Sequence, residues 1–550
     1  MNGFGIVQCG EMLCTGQDHR PLANFGVDVV CPLYDPQHAE QLAGLRLEIL
    51  HRGSRFPLVL DLQLPDLTGQ ICQQIPTCRV LQPRQKGSLD AYLIQLGVEA
   101  GRAGPKTLFF KDHGLYHLSD SRWVYVCGDE VLGLAEDTQY QISHRTARAH
   151  LVWDSVQSEQ ETVARFCIHL MQHDQILLPV WGFTLCSSLR SCIRQLSITT
   201  LPSLAIVGGQ NLGKTTLARR YMLLYADKQR PGRCWAQLDA HSTAAATMDL
   251  VSHFRDQVVL VDDLAKSASA AERRARLELI SEVLRFASND TDRVKMSPQK
   301  QPEEHFCQAG LAFTGEFHLD NPSDVTRLVV IPLQKPLRNG TEEERTLAAT
   351  SFRYFIRWLL PRLDRELDVL QGMLRNTDGQ KSIRMATNYA LLRWAIQLFY
   401  RFAVDAKAVT GHYEREAISR MEQILKAHLE TQWKAVEHQS CTVPSGNLSW
   451  YILQGYRAGK FHIVPRDRIQ DDGDCVVEHD ALCVRADTLL EYFQVATPYQ
   501  ALTKTDMSRR LMEEGALTKS KECRSAKKKI KGRRYLEFCF AVLKNTARTY

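Results

Sequence analysis

The sequence has no CxxC pair, no low-complexity tract, no internal repeat and no apolar run long enough to cross a bilayer. Each absence removes a class of protein. Cys9 with Cys14 and Cys72 with Cys78 lack a matching His or Cys pair at zinc-finger spacing, so structural zinc is not expected. The 16 cysteines are scattered, several beside apolar residues as Cys127, Cys167 and Cys539 are, which suits reduced thiols better than a disulfide framework. The longest apolar run, Ile176 to Leu189, is roughly 14 residues, holds Pro179 and falls short of a membrane span. Met1 to Cys14 has no basic stretch leading into an apolar core, so no secretory signal is expected. Together these absences predict a cytoplasmic protein with no membrane association.

What is present is an ordinary globular composition, 44% hydrophobic and 24% charged, over 550 residues, which is enough chain for several domains. The formal charge of +6 is modest, and most of the excess lies near the C-terminus. From Phe4 to about Leu134, short apolar runs (Val27 to Val30, Leu58 to Leu62, Thr107 to Phe110, Trp123 to Val126) alternate with Gly, Pro and Asp, and Ser88 to Gly97 reads as a helix. This predicts a strand-rich α+β domain over 1–135. Helical periodicity over Ser158 to Leu196 marks a connector, 136–200. Over 201–336 apolar strands (Leu204 to Val207, Val258 to Val261, Leu311 to Thr314, Leu328 to Ile331) alternate with helices, the pattern of an α/β core with a parallel sheet. A helical region follows over 337–440, with helices at Glu342 to Gln371, Ser382 to Val404 and Gly411 to Glu437. Pro444, Ser445 and Gly446 read as a linker to a winged-helix module over 447–550, with helices at Ala486 to Phe493 and Lys504 to Glu514 and a strand-like end at Arg534 to Leu543.

The strongest motif is Gly208-Gly209-Gln210-Asn211-Leu212-Gly213-Lys214-Thr215, which fits GxxxxGK[ST] in full. It follows the strand Leu204 to Val207 and opens a helix expected over Leu217 to Tyr225. Glycines let backbone N–H groups turn onto phosphate oxygens, and a helix N-terminus adds its positive dipole end. Gly208 through Thr216 are therefore the predicted cradle for ATP. Lys214 is expected on the β- and γ-phosphates, and the Thr215 hydroxyl on Mg²⁺. The run Val258 to Val261 ends in Asp262-Asp263, the form of a Walker B strand. Asp262 is the expected second Mg²⁺ residue, and Asp263 the carboxylate that orients or deprotonates the attacking water.

With Thr314-Gly315-Glu316 ending a further strand and Arg327 opening another, the chain resembles the AAA+/superfamily 3-like ATPases of phages and integrative elements. These include the self-loading replicative helicases of staphylococcal cassette chromosomes, which are similar to MCM helicases. The resemblance covers most of the chain. It rests on Gly114-Leu115-Tyr116, Val126-Cys127-Gly128-Asp129, Trp153, Leu177-Leu178-Pro179, Ser242-Thr243-Ala244-Ala245, Ser288-Asn289-Asp290 to Arg293 and the motifs above. It implies a hexamer that translocates on DNA, with Thr314 as the sensor beside the γ-phosphate and Arg327 contacting a nucleotide across a subunit boundary. Two departures stand out: Asp263 where many relatives carry Glu, and Thr314 where Asn is common. Glu316 is open to two readings, a second catalytic carboxylate or a structural residue, and the alternative reading of Arg327 is a surface salt bridge.

Two basic segments suit DNA. In such helicases a hairpin between Walker B and the sensor strand points into the pore. Here that position holds Arg293, Lys295 and Lys300, which would grip phosphates without reading sequence. Lys519 to Arg534 is dense in Lys and Arg with Glu522 as its one acid, and it follows a plausible recognition helix with Arg509 and Arg510. Lys527, Lys528, Lys529, Lys531, Arg533 and Arg534 are the expected phosphate contacts. Either segment also reads as a solvated charged face. The leading expectation is an ATP-dependent DNA helicase or helicase loader-like ATPase. It would act on single-stranded and duplex DNA, with a primase or polymerase as further partners. The alternatives are an initiator ATPase that melts an origin without processive unwinding, and a nucleotide-regulated signalling or defence ATPase.

Overall fold

A computed structural model of the chain describes residues 5–64, 66–102, 106–154, 158–196, 198, 201–230, 232–239, 243–264, 270–288, 293–296, 302–305, 307–316, 322–336, 342–375, 382–440, 448–470, 475–496, 504–513, 516–517 and 527–548. Two compact units result: Met1–Leu319 with Ser323–Glu430, and Thr431–Tyr550 with Asp320–Pro322.

The first unit begins with an antiparallel meander, Ile6–Cys9, Met12–Thr15 and Pro21–Ala23, within the stretch where the sequence shows only short apolar runs between turn residues. A five-stranded mixed sheet follows, in the order Tyr140–Ile142, Thr107–Phe110, Gly26–Tyr34, Leu42–His51, Ser54–Asp61. Leu45, Leu47 and Ile49 alternate along the fourth of these strands and are buried with Leu58, Leu60, Ile71, Leu89 and Leu93, the last two from the helix Lys86–Ala100. That period of two is the signature of a sheet with one covered face. A small three-stranded antiparallel sheet, Gly114–His117, Trp123–Cys127 and Glu130–Leu132, is buried along its whole central strand.

The core of the unit is a five-stranded parallel sheet: β1 (Ser203–Val207), β2 (Gln237–Asp239), β3 (Arg255–Leu264), β4 (Gln308–Gly315) and β5 (Leu328–Pro332). Spatial order is β2-β3-β4-β1-β5. Near-continuous apolar runs such as Val258 to Val261 are what a strand covered on both faces requires, and these four residues are buried. Helix α1 (Lys214–Tyr221) leaves β1 and stops four residues short of the expected Tyr225, which instead opens the short strand Tyr225–Asp227. The buried guanidinium of Arg345 captures this exit by donating to the carbonyls of Leu223 and Tyr225, both at 2.9 Å.

Arg345 belongs to α2 (Glu342–Leu359). The sequence pattern merged α2 with the helix Leu363–Arg375, but Leu360–Arg362 forms a tight turn at Pro361, where an interior proline removes a hydrogen bond and clashes with the preceding turn. The helices Asp174–Ser188 and Ile383–Asp405 meet at Trp181 and Phe399, joined by Phe166 of the helix Glu159–Gln172 and Phe355 of α2, mostly edge to face. Every cysteine among the described residues is free, and burial raises the thiols of Cys127, Cys167 and Cys186 far above their usual range. No helix among the described residues is long and apolar enough to cross a membrane.

One side chain joins the small antiparallel sheet to the core. Asp256, fully buried near the start of β3 with φ 48°, accepts from the Leu115 N–H (2.9 Å), the Ser191 N–H (2.7 Å) and the Ser191 hydroxyl (2.6 Å). Its carbonyl accepts the Tyr125 hydroxyl at 2.9 Å. Gly114 is required opposite it: φ is 97°, and a β-carbon there would lie 2.3 Å from that of Asp256. Burial raises the Asp256 pKa, while the Arg255 charge pulls it back.

In the second unit, the helices Leu448–Arg457, Ala486–Ala496 and Lys504–Glu513 accompany an antiparallel sheet ordered Val476–Glu478, Ala481–Val484, Arg533–Cys539, Lys527–Ile530. Leu448, Ile452, Leu489, Phe493, Met507, Leu511, Leu536 and Phe538 form its core. The strand expected to run to Leu543 ends at Cys539, and Phe540 opens the helix Phe540–Arg548, which buries Phe540 and Leu543 in the same core. The linker expected at Pro444 to Gly446 lies outside the described residues.

Candidate functional site

Because the core strands are parallel, their carboxyl ends share one edge, and strand order decides which side chains meet there. β4 stands between β1 and β3, with Ile206 paired to Thr314 and Val261 to Phe313. Neighbouring strands lie about 4.8 Å apart, so Thr314 is flanked by the exit of β1 on one side and by Asp262 on the other.

β1 exits into the loop Gly208 to Gly213. A β-carbon on Gly208 would lie 2.4 Å from the Leu333 carbonyl oxygen, so the close approach of loop to chain needs glycine there. Asn211 and Gly213 take left-handed backbone, φ 60° and 81°, turning the chain into α1. Gly209, Gln210, Asn211, Gly213 and Thr216 are exposed; Gly208, Leu212, Lys214 and Thr215 are half-buried. The Lys214 ammonium donates to the carbonyls of Gly208 and Gly209, at 2.9 and 2.6 Å, which folds it over its own loop.

Asp262 is the centre of the site. Its Oδ1 accepts from the hydroxyls of Thr215 (2.7 Å) and Thr314 (2.5 Å), and its Oδ2 from the amide of Gln237 (2.7 Å). Asp263 follows on an irregularity in β3, where the register shifts between Val261 and Leu264. Its φ is 64°, its N–H reaches the Thr314 hydroxyl at 3.3 Å, and its side chain is exposed. Glu316, half-buried just beyond β4, is tied through its N–H to the Leu264 carbonyl at 3.0 Å.

Arg327 lies at the other edge of the sheet. It precedes β5, its carbonyl accepts from the N–H of Ser203 at the start of β1, and the length of β1, five residues at about 3.3 Å each, separates that level from the loop. Its guanidinium is buried and donates to the Ser323 carbonyl (2.6 Å) and hydroxyl (2.5 Å), and desolvation lowers its pKa. The fold thus brings Lys214, Thr215, Asp262 and Thr314 together and holds the Arg327 of the same chain away from them.

Of the DNA candidates, Arg293 and Lys295 lie on the strand Arg293–Met296, antiparallel to Pro302–His305, with Arg293 opposite His305 and Lys295 opposite Glu303. Lys300 lies outside the described residues. Arg509 and Arg510 are exposed on Lys504–Glu513. Lys527, Lys528 and Lys529 lie on a hairpin strand paired with Arg533–Cys539. Lys531 and Gly532 make its two-residue turn, with φ 46° and 78°, the primed geometry that suits a tight hairpin. Lys531 donates to the Asp467 carbonyl (2.5 Å) and Arg533 to that of Gln470 (3.3 Å), whereas Arg534 is exposed.

Several residues at or behind the site carry no motif. Gln237 sits on a three-residue edge strand. Tyr221, at the end of α1, donates to Glu344 of α2 at 2.8 Å and lies 2.5 Å from Nε2 of His169. The oxygen donors at the centre, a threonine hydroxyl and a carboxylate 2.7 Å apart, are the hard ligands Mg²⁺ prefers, in the small number that leaves room for phosphate and water.

No family model and no curated protein matches the sequence. Among solved structures, one titled "SCCmec type IV Cch - active helicase" is similar over 98% of this chain and 99% of its own, at 12% identity and a TM-score of 0.49. A structure of JCV helicase with a bound thiazolopyridine acetamide is similar over 49% of this chain and 70% of its own, at 12% identity and a TM-score of 0.20. The chemistry available at the site is set by Lys214, Thr215, Asp262 and Thr314, independently of these likenesses.

Proposed function

We propose that the chain hydrolyses ATP and spends that energy on DNA, as a helicase or helicase loader-like ATPase in the replication of a phage or mobile element. The observation that supports this best is the convergence of Thr215 and Thr314 on one oxygen of Asp262, beside a phosphate-type loop headed by Lys214. In this reading the backbone N–H groups of Gly209 to Thr215 bind the phosphates, and Lys214 leaves its loop carbonyls for the β- and γ-phosphates. Thr215 and Asp262 would hold Mg²⁺, whose charge offsets that of the phosphates. Asp263, exposed at the strand end, accepts the proton of the attacking water, with Glu316 as the second carboxylate at that edge. Thr314 ties the sensor strand to Asp262. Arg327 would reach a nucleotide only on a neighbouring copy, as in a hexameric ring, and only by leaving Ser323 and its buried position.

The DNA half of the proposal is supported by the exposed Arg509, Arg510 and Arg534 in the second unit, together with the basic hairpin strand Lys527–Ile530. A recognition helix followed by a β-hairpin wing is how a winged helix meets phosphates and base edges.

The test is ATP hydrolysis with and without single-stranded DNA, followed by strand displacement on a forked duplex. Stimulation with displacement supports the helicase. Stimulation without displacement moves the reading to an origin-melting initiator, and hydrolysis indifferent to DNA sinks both.

A further inference from the structure

Asp262 can be held by Thr215 and Thr314 and still rotate about its terminal torsion, because both hydroxyls touch the same oxygen. What fixes the other oxygen is Gln237 on β2, whose Nε2 donates to Oδ2 at 2.7 Å. A glutamine amide can be turned over at little cost, and if flipped it would set its carbonyl against the carboxylate. Arg219 on α1 removes that freedom: its Nε donates to Gln237 Oε1 at 3.0 Å, and a guanidinium offers only donors. Flipping Gln237 would then oppose donor to donor at Arg219 and acceptor to acceptor at Asp262. The direction of the amide is therefore set by the charge on either side of it. The same helix that begins with Lys214 and Thr215 reaches round, one turn later, to the back of the Walker B carboxylate.

We infer that Gln237 is a positioning residue of the nucleotide site: clamped by Arg219, it occupies Asp262 Oδ2 so that Oδ1 stays turned toward Thr215 and the metal. The inference rests on the reading of the site as one for Mg²⁺ and ATP. Partners behind a metal-binding carboxylate orient it, and their loss weakens the ion about 10- to 100-fold.

The experiment measures binding of the full chain to a fluorescent, non-hydrolysable ATP analogue in EDTA and across a Mg²⁺ series. Gln237→Leu keeps the wild-type affinity in EDTA, which reports the loop and Lys214, but needs about tenfold more Mg²⁺ to reach half of the Mg²⁺-dependent gain. Arg219→Ala, at an exposed helix position where folding is not at stake, shifts the Mg²⁺ midpoint in the same direction. The double variant behaves like Gln237→Leu alone. A wild-type midpoint in Gln237→Leu or in Arg219→Ala overturns the inference. If Gln237→Leu also loses binding in EDTA, its effect is on the fold, and the Arg219→Ala midpoint decides. A wild-type chain that binds the analogue with no Mg²⁺ dependence overturns the Mg²⁺ reading itself and the inference with it.

Discussion

The hydroxyl of Thr314 donates to Oδ1 of Asp262 at 2.5 Å, across neighbouring strands, on the same oxygen that Thr215 reaches from α1. Thr314→Val keeps the shape of the side chain and removes this donor. A hydrogen bond to a charged group contributes about 1.5–3 kcal/mol, so kcat for ATP is expected to fall by roughly one to two orders of magnitude with little change in nucleotide affinity. Thr314→Asn, which restores a donor, should recover part of the loss. Steady-state kinetics with ATP binding measured alongside checks both.

Lys214 is held by carbonyls of its own loop and, among the described residues, forms no ion pair, so its removal should leave the fold intact. Lys214→Ala is expected to lower turnover by about 10²-fold or more, the scale on which loss of a fixed cationic or oxyanion donor is felt. Thermal melting should stay within a few degrees of wild type.

His113 gives a pH prediction with a definite sign. It is buried against Tyr225 and Trp235, its Nδ1 accepts from the Gly128 N–H at 3.3 Å, and burial, aided by the Arg145 charge, lowers its pKa to about 3. The unfolded chain binds a proton here near pH 6.5 and the folded chain does not, so the contribution is complete above pH 6.5 and lost as pH falls toward 3. The loss is about 1.4 kcal/mol per pH unit within that window. His113→Asn, whose side-chain oxygen can accept in place of Nδ1, should flatten the fall in urea-unfolding stability between pH 6.5 and 4.5 by about 2–3 kcal/mol. An unchanged slope would show that His113 titrates normally.

Arg509 and Arg510 are exposed on one helix of the second unit. Replacing both with Ala should weaken DNA binding about equally across sequences and reduce the slope of log K against log salt by roughly 0.9 for each lost phosphate contact. A loss confined to one sequence would instead mark base readout, which a competition series resolves.

Much of the site was legible because its signals are local. The loop motif, the apolar run before Asp262 and the strand before Thr314 each fit within ten residues, and all three form the elements expected. What was not legible depends on distant partners. Asp256 is defined by Leu115, 141 residues away, and by Ser191, 65 away, and no periodicity encodes such pairs. Gln237 lies on a strand too short to show alternation. The end of α1 was misplaced because Arg345, far along the chain, takes the carbonyls of Leu223 and Tyr225. The last strand was overextended because Phe540 to Leu543 is as apolar as the strand before it, and apolar content alone does not separate strand from helix.

β3 is pinned at both ends by carboxylates of opposite character: Asp256, sealed among backbone amides and a serine, and Asp262, open to the loop of α1. Between them lie the four buried residues Val258 to Val261, all paired with β4 and the last two also with β2. Leu115 and Tyr125 of the small antiparallel sheet and Thr215 of α1 are thereby tied to one and the same strand.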